Sequence, residues 1–238
     1  MTKSAVKKSI AVRDIGAYTP TEAAHYLRVP ISTLRAWTFG QNNRDAAGRT
    51  RHFQAVVTPP NQHERLLSFY NLVEVHVLEA MRRQHEIPLP KIRSALSFVT
   101  KQLGESRPLL RQDFLTDGFS LFVEKANLLL DATHEGQSVM RETLEKFLKR
   151  IDRDPKGIPI RLYPFSRHLG QEDVRSIVID PELAFGRPVL AGTAVPTANV
   201  FDRFLAGEST SDLAKDFRVE AAQIEEAIRC EQIRQRVA

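Results

Sequence analysis

Tyr18-Thr19-Pro20-Thr21-Glu22-Ala23-Ala24-His25-Tyr26-Leu27-Arg28-Val29-Pro30-Ile31-Ser32-Thr33-Leu34-Arg35-Ala36-Trp37 reads as two short helices broken by a tight turn, the sequence form of a helix-turn-helix. Thr19 has the hydroxyl of an N-cap and Pro20 suits the first helical position. Glu22 stands three residues after the cap, where its carboxylate reaches back to the backbone N–H of Thr19. Ala23 and Leu27 share an inner face. After the turn at Arg28, Val29 and Pro30, the second helix is expected to bury Leu34 and Trp37 and to turn Ser32, Thr33, Arg35 and Ala36 outward. Small and hydroxylic side chains beside one arginine suit a helix that lies close to base edges and phosphates. The expected ligand is double-stranded DNA, with Ser32, Thr33 and Arg35 entering the major groove and Trp37 anchoring the helix to the core.

Downstream, Phe39-Gly40-Gln41-Asn42-Asn43-Arg44 and Arg49-Thr50-Arg51-His52-Phe53-Gln54-Ala55-Val56-Val57, closed by Pro59-Pro60, read as a hairpin wing. Such a wing would set Arg44, Arg49 and Arg51 against the DNA backbone, adding affinity and salt dependence but little sequence choice. Charge is distributed to match. The whole chain carries +5, but residues 1–65 hold ten Lys and Arg against four acids, a balance of +6, whereas residues 158–238 hold ten against twelve, a balance of −2.

Further along, Ser68 can cap a helix through Val73, Val77, Leu78 and Met81. Pro90 can open another with Ile92, Leu96, Val99 and Leu103 inward and Gly104 as its terminator. Their charged residues fall mainly on the opposite faces. Around Asp113 to Val123 the period changes to two, with Asp117-Gly118 as a hairpin signal, and Asn127 to Thr133 suggests a third strand. Ser138 would begin a helix carrying Met140, Leu144, Phe147, Leu148 and Ile151 on one side. Asp152 to Ile160, with Pro155, Gly157 and Pro159, has the composition of a boundary. Short strands at Ile160–Tyr163, Ile177–Ile179 and Pro188–Ala191 precede three helices. Thr197 is expected to cap the first, with Val200, Phe201, Phe204 and Leu205 before Gly207. Ser209 would cap the second, with Leu213, Ala214 and Phe217, and Ile224, Ala227 and Ile228 mark the third. Arg218-Val219 between the last two is short enough for another helix-turn-helix. The last helix is expected to expose Glu220, Gln223, Glu225, Glu226 and Glu231, and acids repel phosphate, so a protein-contact role is preferred there.

The fold expected is mainly α with α+β elements, in three parts: residues 1–104 as DNA-binding domain with supporting helix pair, 105–157 as an α+β linker region, and 158–238 as a trihelical domain for dimer or partner contact. No apolar run is long enough to span a bilayer and the amino terminus lacks the apolar stretch of a secretory signal, so a cytoplasmic location is expected. One cysteine, Cys230, excludes an internal disulfide framework and a multi-thiolate zinc cluster. The seven histidines, at 25, 52, 63, 76, 85, 134 and 168, stand in no metal spacing, and His76 and His85 are expected at the surface or its boundary. There is no Walker loop, no Gly-x-Gly-x-x-Gly and no Gly-x-Ser-x-Gly elbow. No catalytic residue, no metal ligand and no cofactor is expected.

Two resemblances sharpen this. Glu22 to Trp37, continued by Leu67-Ser68-Phe69-Tyr70-Asn71-Leu72-Val73-Glu74 and the helix pair after it, resembles the MerR-like winged helix-turn-helix. Ile179-Asp180-Pro181-Glu182-Leu183-Ala184-Phe185-Gly186-Arg187-Pro188-Val189-Leu190-Ala191-Gly192-Thr193-Ala194-Val195-Pro196, with Gly207-Glu208-Ser209 and Leu213 to Phe217, looks like a small trihelical family widespread among bacterial antitoxins. With both, the chain is similar to a mycobacterial VapB-type antitoxin of a type II toxin–antitoxin system. That family often has Arg before the Val-Pro; here Ala194 stands in that place, so no role of that Arg carries over. The resemblance implies a homodimer that binds operator DNA, represses its own operon and neutralises a PIN-domain ribonuclease toxin. Arg203 and Arg229 are candidates for the basic side chain that such antitoxins often direct at the toxin's metal site. The rival reading is a stand-alone MerR-like regulator whose middle strands bind a small molecule, and a third is a structural interaction module whose helix-turn-helix has lost DNA.

Overall fold

The computed structural model describes residues 12–44, 48, 50–83, 89–104, 106–111, 142–164 and 175–235. It is mainly helical, with small antiparallel two-stranded sheets. The strands expected between Asp113 and Thr133, and the start of the helix at Ser138 and Met140, lie outside the described residues.

Helices α1 (Pro20–Leu27) and α2 (Ile31–Phe39) lead into a hairpin of β1 (Gln41–Arg44) and β2 (Thr50–Phe53), paired from Gln41↔Phe53 to Arg44↔Thr50. The longer helices α3 (Phe69–Arg83) and α4 (Leu89–Leu103) follow, then a short 3-10 turn at Pro108–Leu110. Ser68 and Asn71 form a reciprocal cap at the start of α3: the Asn71 N–H donates to the Ser68 hydroxyl and the Ser68 N–H to the Asn71 side-chain oxygen. Val73, Val77, Leu78 and Met81 of α3 are sealed from solvent, as are Ile92 and Val99 of α4.

The apolar stripe of α3 is broken by Glu74 and His76, both buried. His76 therefore lies in the core and not at the surface; its ring nitrogen pairs with the Phe147 carbonyl at 2.9 Å and its ring lies against that of Phe147. Burial pushes its pKa down to about 4. Glu74 accepts from the Asn71 amide and faces Arg107 at 3.6 Å, yet burial outweighs both and raises its carboxyl to about 7. His85, expected at the surface or its boundary, lies outside the described residues.

A helical segment at 142–148 packs Leu144, Phe147 and Leu148 into the same core. Ile151, expected on that helix, instead opens β3 (Ile151–Arg153), which pairs with β4 (Pro159–Leu162). The segment expected as a boundary is the turn of this hairpin, where the Asp154 carboxylate accepts from the N–H groups of Lys156 and Ile158. Leu162 then bridges Ile179, and both belong to the front core.

The second core begins two residues away from Ile179, at Ile177 of β5 (Ile177–Val178), which pairs with β6 (Val189–Leu190). Helices α5 (Thr197–Leu205), α6 (Thr210–Phe217) and α7 (Ala221–Gln235) close around Val200, Phe201, Leu213, Ile224, Ala227 and Ile228. Two local expectations fail. Pro196, not Thr197, is the N-cap of α5, because Thr197 sits inside the first turn with its hydroxyl committed elsewhere; Leu205 lies on the solvent side of that helix and is exposed.

Front and rear meet through specific contacts. The buried Tyr18 hydroxyl donates to the Gly186 carbonyl at 3.0 Å, and Arg13 pairs with Glu182 at 3.3 Å. Gly186 adopts φ +77°, and a Cβ there would come within 2.3 Å of the Tyr18 oxygen, so this contact requires glycine. Among the described residues, no helix is long and apolar enough to cross a membrane.

Candidate nucleic-acid interface

The front helix-turn-helix is fixed from its first residue. Thr19 and Glu22 form the expected capping box: the Glu22 N–H donates to the Thr19 hydroxyl at 3.2 Å and the Thr19 N–H to the Glu22 carboxylate at 2.9 Å. At the other end of α1, Arg28 turns left-handed with φ 55°, and its N–H and that of Val29 close on α1 carbonyls. This reverses the chain within three residues and lets α2 start at Ile31.

On α2 the separation of faces follows the sequence closely. Leu34 and Trp37 are 0% and 2% exposed, while Ser32 and Arg35 stand in solvent and Thr33 is half-buried at the edge. Ala36 departs from expectation, since its methyl packs partly against the core. No side chain caps the start of α2 and no acid lies in its first turn, which leaves that end electrostatically open to an anion. The Trp37 carbonyl accepts from the N–H groups of Val56 and Val57, at 2.8 and 3.0 Å, tying the helix to the chain leaving the wing. The Arg65 guanidinium lies 5.4 Å from the centre of the Phe39 ring beside the hairpin.

Arg44 and Arg51 occupy wing strands, paired with Thr50 and Asn43 respectively; Arg49 lies outside the described residues. Ser32 and Thr33 thus stand in the first turn of α2 and Arg35 at its centre, with two of the three wing arginines on the hairpin that follows.

The rear unit differs. Arg203 is bound by Glu208 at 2.7 Å and by Asp216, and it stacks 4.9 Å over the Phe217 ring. Those two carboxylates raise its pKa further. Arg229 is half-buried and pairs with Glu226 at 2.5 Å. Both candidates for toxin contact therefore already hold acids of their own chain.

The acids of α7 also sit differently from the sequence reading. Glu220 and Glu225 are exposed and Gln223 half-buried, but Glu226 and Glu231 are 0% and 4% exposed. Glu231 accepts from the Thr197 hydroxyl at 2.6 Å and faces His25 of α1 at 3.9 Å. Glu231 shares a helical face with Ile224, Ala227 and Ile228, so spacing pointed it inward while its charge argued for solvent.

The front and rear elements correspond to known families. Residues 16–96 match the family described as "Putative DNA-binding HTH domain", and residues 177–229 match DUF433, a "Protein of unknown function" family. A relative from Mycobacterium tuberculosis, "Putative antitoxin VapB45", is 30% identical over 231 residues, covering 90% of this chain and 93% of its own length. The chain belongs to the VapB antitoxin family. The crystal structure of Rv2018 from Mycobacterium tuberculosis is similar to this antitoxin, with a TM-score of 0.64 and 25% identity across 90% of this chain and 98% of that one. Antitoxin kinship together with a DNA-binding type of fold points to binding rather than catalysis.

One constellation in this antitoxin escaped the sequence altogether. His25 of α1 and Cys230 and Glu231 of α7 bring a ring nitrogen, a thiol and a carboxylate oxygen within 4.8 Å of one another. Burial pushes the Cys230 thiol up to about 12, with the neighbouring Glu231 carboxylate adding to the rise. The adjacency of Cys230 and Glu231 was visible; the 205 positions separating His25 from Cys230 hid the third member.

Proposed function

We propose that this antitoxin binds operator DNA as a homodimer through its front winged helix-turn-helix, represses its own operon, and neutralises a PIN-domain ribonuclease toxin through its rear unit. The observation that supports it most is the division of α2, which buries Leu34 and Trp37 and leaves Ser32 and Arg35 in solvent beside a hairpin wing. In this reading Ser32, Thr33 and Arg35 contact base edges and adjoining phosphates in the major groove, while Arg44, Arg49 and Arg51 hold the backbone in the manner of a MerR-like wing. Two copies would read two half-sites, multiplying the site size and the affinity.

The rear unit acts as the protein-contact module in this reading, although only two of the acids the sequence favoured, Glu220 and Glu225, are among those that support it. Asp202, Asp212, Asp216, Glu220 and Glu225 are exposed around its helices, whereas Glu226 and Glu231 are internal. That surface suits a basic partner better than a phosphate backbone. Arg203 and Arg229 can reach a toxin's metal-binding carboxylates only by exchanging their present acids for the toxin's.

The test combines two measurements on the full chain. Changing Arg35, Arg49 and Arg51 together to alanine should abolish specific binding to the DNA preceding its gene and flatten the salt dependence of the residual binding, by about one unit of slope for each phosphate no longer neutralised. Unchanged affinity and slope would overturn the DNA assignment. Co-expression with the neighbouring reading frame should yield a complex whose ribonuclease activity is suppressed; a toxin that stays active and unbound would overturn the antitoxin assignment without touching the DNA one.

A further inference from the structure

We propose that His25, Cys230 and Glu231 form a binding site for a divalent transition-metal ion of the zinc class, joining the first helix of the DNA-binding motif to the last helix of the rear unit. The three donors come from two elements far apart in sequence, and their ligand atoms converge within 4.8 Å. Cys230 and Glu231 are buried, and the His25 side chain is only 8% exposed. A convergent nitrogen, sulfur and oxygen donor set is the borderline-soft combination that zinc accepts, and it is unsuited to calcium or magnesium, which take oxygen alone.

Distances and charge are compatible with the assignment. Zinc holds sulfur at about 2.3 Å and nitrogen or oxygen at about 2.0–2.2 Å, which places tetrahedral donors roughly 3.5 Å apart. Binding therefore needs a contraction of about 1 Å, within the range of the χ torsions of His and Glu. Binding replaces the Cys230 thiol proton, which leaves for solvent as the sulfur–metal bond forms. A thiolate and a carboxylate then neutralise the two positive charges of the ion, and His25 coordinates as the neutral ring. Without metal, burial and the neighbouring acids keep Cys230 a thiol. Arg28 and Glu226 are the other charged groups that act on the sulfur, and they oppose each other. The Thr197 hydroxyl donates to one Glu231 oxygen at 2.6 Å and leaves the other directed at His25, the outer-shell support that orients a carboxylate ligand. Three protein donors leave a fourth position for water or for a group brought by a partner.

The site stands independently of which DNA or toxin this antitoxin binds. Its test uses the full chain, stripped by a chelator and titrated with Co²⁺. The expected result is one ion per chain with a thiolate-to-cobalt charge-transfer absorption that Zn²⁺ displaces. Cys230→Ser should abolish the absorption, and His25→Gln should weaken affinity at least about tenfold with unchanged far-UV circular dichroism. Should Cys230→Ser fail to fold, Glu231→Gln serves instead, since it keeps the shape and the acceptor for Thr197 while removing the charge; it too should weaken affinity at least about tenfold. A folded wild-type chain that shows no charge-transfer absorption, including one that takes up cobalt only at solvent-facing histidines, overturns the proposal. So does equal affinity in the wild type and the His25 and Glu231 variants.

Discussion

At the end of α1, Arg28 takes φ 55° and ψ 36° and its N–H turns back to the carbonyls of Ala24 and His25; at the end of α6, Arg218 takes φ 57° and ψ 47° and turns back to Ala214 and Lys215. The residue after each, Val29 and Val219, donates at 3.0 Å to the same relative carbonyl, that of Ala24 and of Ala214. Each first helix is capped by a hydroxyl, from Thr19 or Ser209, with an acid three residues on. The front and rear units thus build one turn from near-identical parts, Leu27-Arg28-Val29 and Phe217-Arg218-Val219. They diverge in the helix that follows. The nine residues of α2 carry no acid and present Ser32 and Arg35 to solvent, whereas the fifteen of α7 turn Glu226 and Glu231 inward. A helix-turn-helix geometry is therefore a way of packing helices, and the chemistry of the second helix decides what the packing is for.

The largest test of this contrast is Trp37→Ala. In the front unit this side chain is 2% exposed, and its removal should cost about 3–5 kcal/mol in urea unfolding followed by far-UV circular dichroism. Denaturation midpoints that scarcely move would mean that α2 is not seated on the core as described.

Next in size is a pH effect confined to the front core. His76 is held down from 6.5 to about 4, so its contribution to stability is complete above pH 6.5 and is lost as pH falls toward 4, roughly 3 kcal/mol in all. Glu74 is raised from 4.5 to about 7, so its contribution is complete below pH 4.5 and is lost as pH rises through about 7. The two slopes oppose each other where they overlap. Glu74→Gln should therefore unmask stability that rises with pH between about 4 and 6.5, and His76→Gln stability that falls between about 4.5 and 7. Flat profiles in both variants would show that these groups do not titrate as buried residues.

Arg35→Ala and Arg218→Ala compare the two units directly. The first should weaken operator binding by about 1–3 kcal/mol in fluorescence anisotropy. The second should stay within about 0.5 kcal/mol of wild type. Equal effects would make both units DNA readers. The smallest effects are those of the caps: Thr19→Ala and Ser209→Ala should each cost about 1 kcal/mol in thermal or urea unfolding, because both units use the same device. A cost at one site only would mean that the likeness of the two turns does not extend to their energetics.

The front unit is legible in the sequence because its signals are local. The capping box of Thr19 and Glu22, the turn at Arg28 and the three-residue spacing of Leu34 and Trp37 each span one or two helical turns, and each is found in place. The same holds for the Ser209 cap and for Leu213 and Ile224. The departures share a cause. His76, Glu226 and Glu231 are side chains whose polarity argues for solvent, and His76 and Glu231 are buried because partners from distant elements meet them there: Phe147 beside His76, and Thr197 and His25 beside Glu231. Arg229 holds Glu226 from one turn away, a local pair whose burial still depends on what packs over it. Thr197 departs from its expected capping role for the same reason, since its hydroxyl serves Glu231 and not its own helix.

By itself, then, the sequence determined the elements whose energetics act over a few residues: caps, turns, apolar faces and the placement of Ser32, Thr33 and Arg35 on one helix. The tertiary structure alone decided which polar groups are internal, that Tyr18 reaches Gly186, and that His25 stands beside Cys230 and Glu231. Local order follows from backbone hydrogen bonding and side-chain periodicity, both readable along the chain. Whether a charged or ring-bearing side chain can leave water depends on compensation from groups far away along the chain, and that compensation exists only once the chain has folded.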